Sequence, residues 1–137
     1  MTDAPMVSHF LSDPAWLEVD RHREKYWYVR HHAVEFFSES LGREVVVPIG
    51  YHTDLASIPD FLKDRIDVNG KHREAAIVHD YLCTDGEFEN VSQAQADIVF
   101  REAMEALRVG PKTRWAMYNA VKAFQKFKCW RAGESYE

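Results

Sequence analysis

An adjacent histidine and aspartate, His79 and Asp80, stand inside the otherwise apolar run AAIVHDYLC, residues 75–83. A polar pair within an apolar stripe costs free energy unless other groups satisfy it. On a helix, spacings of three and four residues place His79 in the middle of one face and Asp80 at its edge. The other members of that face are Ala75, Ala76, Leu82 and Cys83. Either another side chain satisfies the pair and nothing more follows, or the pair carries out chemistry.

A further ionisable side chain, Asp97, points inward on the next predicted helix. It shares a face with Phe100 and Met104, which lie one and two turns further along. If the two helices pack antiparallel, Asp97 meets His79, and a carboxylate beside a buried imidazole fixes its tautomer and favours its protonated form. His79 and Asp97 are therefore the predicted catalytic residues of a general-base site. The same contact is also an ordinary satisfied pair of a protein core, and both interpretations stay open.

Oxygen and nitrogen donors near this pair predict a small site for a divalent metal, calcium or zinc. The predicted metal ligands are Asp80, Asp54 and His52, of which the last two flank the start of the polar loop HTDLASIP, where functional groups collect. Ser57 and Tyr81 are predicted to bind substrate or to shape the loop. Structural roles compete at two positions, since Asp54 is a good turn former and Ser57 a good helix cap.

Other chemical motifs are weaker. Cys83 lies one turn beyond His79, and a core-filling role is favoured over a Cys–His nucleophile pair because one face of one helix gives poor in-line geometry. The sequence contains no glycine-rich phosphate loop, zinc-type Cys/His spacing or H-E-x-x-H motif. The candidate chemistry therefore rests on the histidine and the carboxylates.

The elements that would position these residues fall into two halves, strands first and helices second. Alternating, β-branched and aromatic residues between positions 16 and 53 predict an antiparallel β-meander of about three strands, of which the middle run, 25–37, is one long bent strand or two short ones. Helices are predicted over residues 57–66, 73–83, 92–110 and 111–127. The prediction is a single α+β domain over residues 16–130, with the strands packed on a C-terminal cluster of three to four helices. A flexible arm over residues 1–15 and a frayed tail over residues 131–137 would flank it.

Composition limits the classes of function. The 137 residues, 46% hydrophobic, are enough for one domain with a real core, and a net charge of −5 argues against a nucleic-acid partner. The basic and aromatic cluster at residues 122–131 is interpreted as a solvated face, with contact to an anionic membrane or phosphate surface as the alternative. No stretch predicts a membrane span or a signal peptide, and two cysteines without a disulfide framework favour a reducing cytosol.

Four segments resemble, in order and spacing, a phage and prophage family known as domain of unknown function 1353. They are TDLASIP at 53–59, AAIVHDYL at 75–82, AQADIVFREAM at 94–104 and MYNAVKAF at 117–124, within a resemblance that extends over residues 43–127. The resemblance implies an origin in tailed-phage or prophage genomes, often near tail or lysis genes, and no established activity. The family's characteristic polar positions fall on Asp54, Ser57, His79, Asp80 and Asp97.

Two enzyme classes resemble the motif more distantly. In secreted phospholipases A2, an adjacent His-Asp supplies the base and a calcium ligand, and a second helix supplies an Asp that orients the His. By this analogy His79 activates water, Asp80 holds calcium and Asp97 orients His79. The sequence departs from that class at Cys83, where the phospholipases carry tyrosine, and it lacks their paired cysteines and glycine-rich calcium loop. The HD-type metal phosphohydrolases rank below, because their first histidine has no well-placed upstream counterpart.

Two hypotheses from different classes follow. In the first, the chain is a small metal-assisted hydrolase acting on host envelope material, either phospholipid or peptidoglycan-linked. In the second, it is a non-enzymatic tail or baseplate accessory, or another virion component, in which His79 and Asp97 form a buried pair. The expected partners are other phage proteins or host envelope components. The expected location is the host cytoplasm or the virion, and the sequence does not indicate an oligomeric state.

Overall fold

The strands lie in the N-terminal half of the chain and the helices in the C-terminal half, so the predicted α+β arrangement is confirmed. The structure, a computed structural model, describes residues 7–22, 26–53, 58–59, 72–84 and 91–137. The helix predicted over residues 57–66 falls almost wholly outside the described residues.

Among the described residues, six short strands precede the helices: β1 (His9–Phe10), β2 (Trp16–Val19), β3 (Trp27–Arg30), β4 (Val34–Ser38), β5 (Arg43–Val47) and β6 (His52–Thr53). They form two antiparallel sheets, one in the order β1-β4-β5 and one in the order β2-β3-β6. Along β4, Val34 and Phe36 are buried while Glu35 and Phe37 are half-buried. The period-two pattern of the sequence therefore directs one face of this strand into the core.

The chain passes from one sheet to the other between β3 and β4. His31 lies there with a φ of 72°, in the left-handed region that side chains rarely adopt. The middle run of the predicted meander is therefore two short strands that belong to different sheets. Between β4 and β5 the turn ends at Gly42, whose φ of 67° costs glycine little because it has no Cβ.

Three helices follow within the described ranges: α1 (Arg73–Thr84), α2 (Gln93–Ala106) and α3 (Pro111–Ala132). α2 begins with a capping box, in which the Gln95 N–H donates to Ser92 Oγ (3.1 Å) and the Ser92 N–H donates to Gln95 Oε1 (2.8 Å). α3 begins at Pro111, whose missing N–H has no partner to lose in a first helical turn. Gly110, predicted as the end of α2, is instead the N-cap of α3.

α1 is enclosed on all sides. Every residue from Ala75 to Leu82 is buried, because α2 packs along the helix and β4, β5 and β6 also contact it. The surrounding core includes Val29, Val34, Phe36, Val45 and Val47 from the strands and Val99, Phe100, Ala103 and Met104 from α2. His79 and Asp80 are therefore both inside, since each position in this stretch of α1 faces protein.

Both ends of the described chain contact the body of the domain. β1 pairs with β4, and the Phe10 ring packs on Phe36 with centroids 4.7 Å apart, so part of the predicted arm is an edge strand. At the other end, the N–H of Ala94 donates to the carbonyl of Tyr136 (2.9 Å), which brings the predicted frayed tail to the start of α2. Among the described helices, none has the length and apolar character needed to cross a membrane.

Candidate functional site

α1 and α2 bring together the imidazole of His79 and the carboxylate of Asp97. His79 Nε2 lies 2.6 Å from Asp97 Oδ1, and both side chains have 0% exposure. The ring of Phe100, almost one turn after Asp97, packs on the imidazole with centroids 5.2 Å apart. This is the contact that helical spacing predicts; the catalytic role of the two residues stays a prediction.

The C-terminal tail adds a third group. The Tyr136 hydroxyl donates a hydrogen bond to Asp97 Oδ2 (2.5 Å), so both carboxylate oxygens of Asp97 are bound. Burial, and then this hydrogen bond, raise the pKa of Tyr136 above its ordinary value. Sequence reasoning missed Tyr136 because the tail RAGESYE has no apolar periodicity that would place it against α2. These three residues are called the His79–Asp97–Tyr136 cluster below.

Neighbouring charge decides the protonation of His79. Burial lowers the pKa of a histidine, but the Cys83 sulfur and the Asp97 carboxylate outweigh it and raise the pKa of His79 to about 10. At neutral pH the imidazole is therefore a cation that donates its Nε2 proton to Asp97. A protonated imidazole has no lone pair with which to accept a proton, so this state is an ion-pair partner or an acid and not a general base.

Cys83 lies close to His79 but does not complete a catalytic triad. Its sulfur is 3.6 Å from Nε2 and 4.0 Å from Nδ1, so the ring nitrogen nearer the thiol is the one already bound to Asp97. A nucleophile, base and orienting acid need the nucleophile and the acid at opposite ring nitrogens. The geometry therefore agrees with a packing role for Cys83.

Asp80 points away from His79 and has its own partners. Its Oδ2 accepts hydrogen bonds from the Tyr51 hydroxyl (2.9 Å) and from the Thr53 hydroxyl. Charge-assisted hydrogen bonds of this kind compensate the burial of a carboxylate, which here is 2% exposed. Consecutive helical residues differ by about 100° in direction, so His79 faces α2 while Asp80 faces β6. The adjacent pair therefore serves two separate polar contacts.

Tyr51 and Thr53 are also residues that sequence reasoning missed. Alternate positions of an extended segment share one face, so 51 and 53 point together towards α1 while 52 points the opposite way. A signal was present, because Thr53 opens the TDLASIP segment. The pairing itself depends on where β6 lies against α1, which local patterns do not give.

Tyr81, a predicted substrate or loop residue, belongs to the same buried region. It is 2% exposed, and its ring packs edge-on against Tyr51 with centroids 5.1 Å apart. In the described structure its ring is covered by protein, and it packs beside the contact between Asp80 and β6.

His52, a predicted metal ligand, lies on the exposed face of β6. Its Nδ1 is 2.8 Å from the Gly50 carbonyl, and its Nε2 is 3.2 Å from the carboxylate of Asp20. The structure therefore does not bring His52 together with Asp80. The other loop candidates, Asp54 and Ser57, lie outside the described residues.

The described residues include only some of the predicted metal ligands. Within the described ranges, no three His, Cys, Asp or Glu side chains form a group that could hold a metal ion. Since Asp54 lies outside those ranges, the calcium or zinc site stays a prediction. A cleft of about 470 Å³ is lined by residues before β1, in the turn after β4 and on α2, among them Glu39, Arg101, Glu102 and Glu105. None of the predicted catalytic or metal-binding residues lines this cleft.

Comparison with known proteins gives a match to a family model. A family model described as "Protein of unknown function (DUF1353)" matches residues 27–121. The matched range begins at β3 and includes His79 and Asp97, while Tyr136 lies beyond it. No curated protein and no solved structure matches the chain. Because the matched range is well over half of the sequence, the chain belongs to the DUF1353 family, whose function is unknown.

Proposed function

We propose that this chain is a non-enzymatic accessory component of a phage particle, such as a tail or baseplate protein, with other phage proteins as its partners. The phage context rests on the sequence resemblance described above. The non-enzymatic part rests on one observation: His79 and Asp97 are fully buried, and both Asp97 oxygens are bound within the fold. A catalytic base must touch its substrate, directly or through one water.

The protonation of His79 supports the same proposal. With a pKa raised to about 10, the imidazole at neutral pH already carries the proton that a general base would have to accept. In a buried ion pair, desolvation of both charges offsets much of their attraction, so the pair adds little net stability to the fold. Its main effect is to fix which side chains meet in the core. In this chain the contact joins α1, α2 and the C-terminal tail.

Mass spectrometry of purified particles tests the proposal. Particles banded on a density gradient should contain the chain at a constant ratio to a known structural protein across the gradient fractions. The control is the host lysate from the same preparation. When the lysate is run on the same gradient, chain that is not bound to particles should not sediment with the particle band. Presence in the lysate together with absence from the particles would contradict the accessory role.

A metal-assisted hydrolase acting on host envelope material is the second candidate function. The observation that favours it is the position of Asp80, whose hydroxyl partner Thr53 immediately precedes Asp54, another predicted metal ligand. A divalent cation bound there would lower the pKa of His79 by repulsion and so free its lone pair. In this candidate His79 activates water, Asp97 orients His79, and Asp80 with Asp54 holds calcium or zinc.

Thermal unfolding with and without metal separates the two candidates. For the hydrolase, calcium or zinc should raise the melting temperature of the parent chain, and Asp80→Asn should abolish that rise. His79→Asn should keep the metal response and lose hydrolysis of phospholipid vesicles or peptidoglycan. For the accessory protein, His79→Asn and Asp97→Asn should lower the melting temperature, and no metal response should occur in any variant.

A further inference from the structure

α3 contacts the rest of the domain along one narrow stripe. Its buried residues are Met117, Val121, Gln125 and Cys129, four positions spaced one turn apart. A 22-residue helix presents several other rows of side chains. Most of the surface of α3 therefore faces solvent in the described structure.

The charge on this helix is of one sign. Between residues 111 and 132 there are six basic residues, Lys112, Arg114, Lys122, Lys126, Lys128 and Arg131, and no aspartate or glutamate. The chain as a whole carries a net charge of −5. The helix therefore carries a net charge of +6, and the chain's total of −5 leaves −11 for the remaining residues.

Large aromatic side chains lie on the exposed part of the same helix. Trp115 is 70% exposed, Phe127 is 51% exposed and Trp130 is 77% exposed. Helical spacing of 100° per residue places Lys112, Trp115 and Trp130 on the outward side, away from the buried stripe. We call the solvent-facing side of α3 that carries Lys112, Trp115, Phe127 and Trp130 the outer face.

Cations and rings lie together along α3. Lys128 Nζ is 5.2 Å from the centroid of Phe124, and the Arg131 guanidinium is 5.9 Å from the centroid of Phe127. These contacts place charged groups beside apolar surface. A surface that binds a lipid bilayer needs both, because its apolar parts meet the lipid tails and its charged groups meet the phosphates.

We propose that the outer face of α3 binds the surface of an anionic lipid bilayer, with the helix lying parallel to the membrane plane. Indole rings prefer the headgroup level of a bilayer. Lysine and arginine side chains reach the phosphates, and each such cation near the surface strengthens binding to an anionic leaflet. The inference is independent of either candidate function above.

The distribution of the aromatic residues favours a bilayer over an acidic protein partner. Trp115 and Trp130 are 15 positions apart, about 22 Å along the helix, and the outward residues between them include the small Ala116 and Ala123. In protein–protein interfaces, the residues that contribute most to binding cluster near the centre of the contact. On α3, the two exposed tryptophans instead lie at the two ends of the outer face. The net negative charge of the chain disfavours a nucleic acid.

Vesicle flotation with the full chain tests the proposal. Vesicles of phosphatidylglycerol and phosphatidylcholine in equal parts should bind the chain at least about tenfold better than vesicles of phosphatidylcholine alone. Raising the salt concentration to about 1 M should weaken that binding because the charges are then screened. Substituting Lys112→Gln should reduce the affinity for the anionic vesicles roughly fivefold.

The matched variants exchange exposed apolar residues on two different surfaces. The triple variant Trp115→Ser, Phe127→Ser and Trp130→Ser should lose binding to anionic vesicles while keeping the parental melting temperature. The control triple, Val19→Ser, Val46→Ser and Ile49→Ser, removes exposed side chains from the strand region and should bind as the parent does.

Three results would overturn the proposal. They are absence of binding to anionic vesicles, equal losses in the two triple variants, and capture of the chain by duplex DNA or polyglutamate with none by vesicles.

Discussion

The Tyr136 hydroxyl and the Asp97 carboxylate form a hydrogen bond between the C-terminal tail and the middle of the helical core. Asp97 is at the same time the partner of His79, so the chain end and α1 meet on one side chain. The tail, predicted from the sequence to be frayed, therefore contributes one member of the His79–Asp97–Tyr136 cluster. The consequences can be tested one residue at a time.

Removing the phenolic hydroxyl of Tyr136 should destabilise the domain. Tyr136→Phe leaves the ring and takes away one of the two groups bound to Asp97, so we expect a loss of about 1–2 kcal/mol in the free energy of unfolding by urea. The control is Tyr118→Phe, which keeps a ring stacked under Arg101 and Lys122 and should change stability by less than about 0.5 kcal/mol. Equal effects of the two substitutions would show that the hydrogen bond between Tyr136 and Asp97 does not stabilise the domain.

The stability of the domain should fall as the pH rises from neutral into the alkaline range. The folded-state pKa of His79 is about 10, above the unfolded value of about 6.5, so the folded state retains a proton that the unfolded state has lost. This contribution is fully present below about pH 6.5 and is lost as the pH passes through 10. The Tyr136 pKa, also raised, acts in the same direction at the alkaline end.

Urea midpoints measured between pH 6 and pH 10 would show this slope. His79→Gln should flatten it, whereas His22→Gln, at an exposed position in a turn, should leave it unchanged. A parent midpoint that stays constant across this range would show that His79 is not held as a cation.

Asp97→Asn should be among the most damaging single substitutions in the domain. It leaves a buried imidazole beside an amide, and breaking a buried ion pair from one side costs about 3–5 kcal/mol. The double variant His79→Gln with Asp97→Asn should cost less than the sum of the two single changes by at least about 1 kcal/mol, since the second change no longer breaks a pair. Additive costs in a double-mutant cycle would contradict direct coupling.

Much of this arrangement could be predicted from the sequence where it depends on local periodicity. The three described helices follow from apolar spacing and from Ser92 and Pro111 at their starts, and the His79–Asp97 contact follows from two inward faces on consecutive helices. The division of the strands into two sheets could not be predicted, because it depends on a left-handed backbone at His31. Histidine adopts that conformation more often than most side chains, but still only in a small minority of cases.

The partners of Asp80 and Asp97 could not be predicted from local sequence patterns, for a different reason. Tyr136 reaches Asp97 from 39 positions away, and Tyr51 reaches Asp80 from 29 positions away. Neither tyrosine belongs to a periodic apolar run. The position of each tyrosine is decided by how the helices pack on the strands and on the tail. The sequence shows only that the buried acids need partners.

Thr53→Val should destabilise the contact between β6 and α1. Valine has nearly the same shape, so the change removes one donor from the buried Asp80 carboxylate without leaving a cavity. Hydrogen bonds to charged groups contribute about 1.5–3 kcal/mol, and we expect a loss in that range by urea unfolding. Thr113→Val on the exposed first turn of α3 is the control and should be near neutral. A neutral Thr53→Val would mean that the Thr53 hydroxyl is not needed to satisfy Asp80.

Glu102→Gln should loosen the turn between β4 and β5. The Glu102 carboxylate accepts hydrogen bonds from the Ser38 hydroxyl (2.7 Å), the Ser40 hydroxyl (2.9 Å) and the Ser40 N–H (3.0 Å), and so joins α2 to that turn. An amide keeps one oxygen acceptor and places a donor where the other oxygen accepted. The amide can keep its oxygen on the Ser40 N–H and turn its NH2 towards the two hydroxyls, which can accept, but every bond then loses its charge assistance. We expect a loss of about 1–2 kcal/mol and faster hydrogen exchange at the Ser40 amide, since a neutral acceptor holds that N–H less strongly. Glu105→Gln, one turn along and exposed, changes the charge equally and should leave both measurements unchanged, so a matching effect there would assign the loss to net charge.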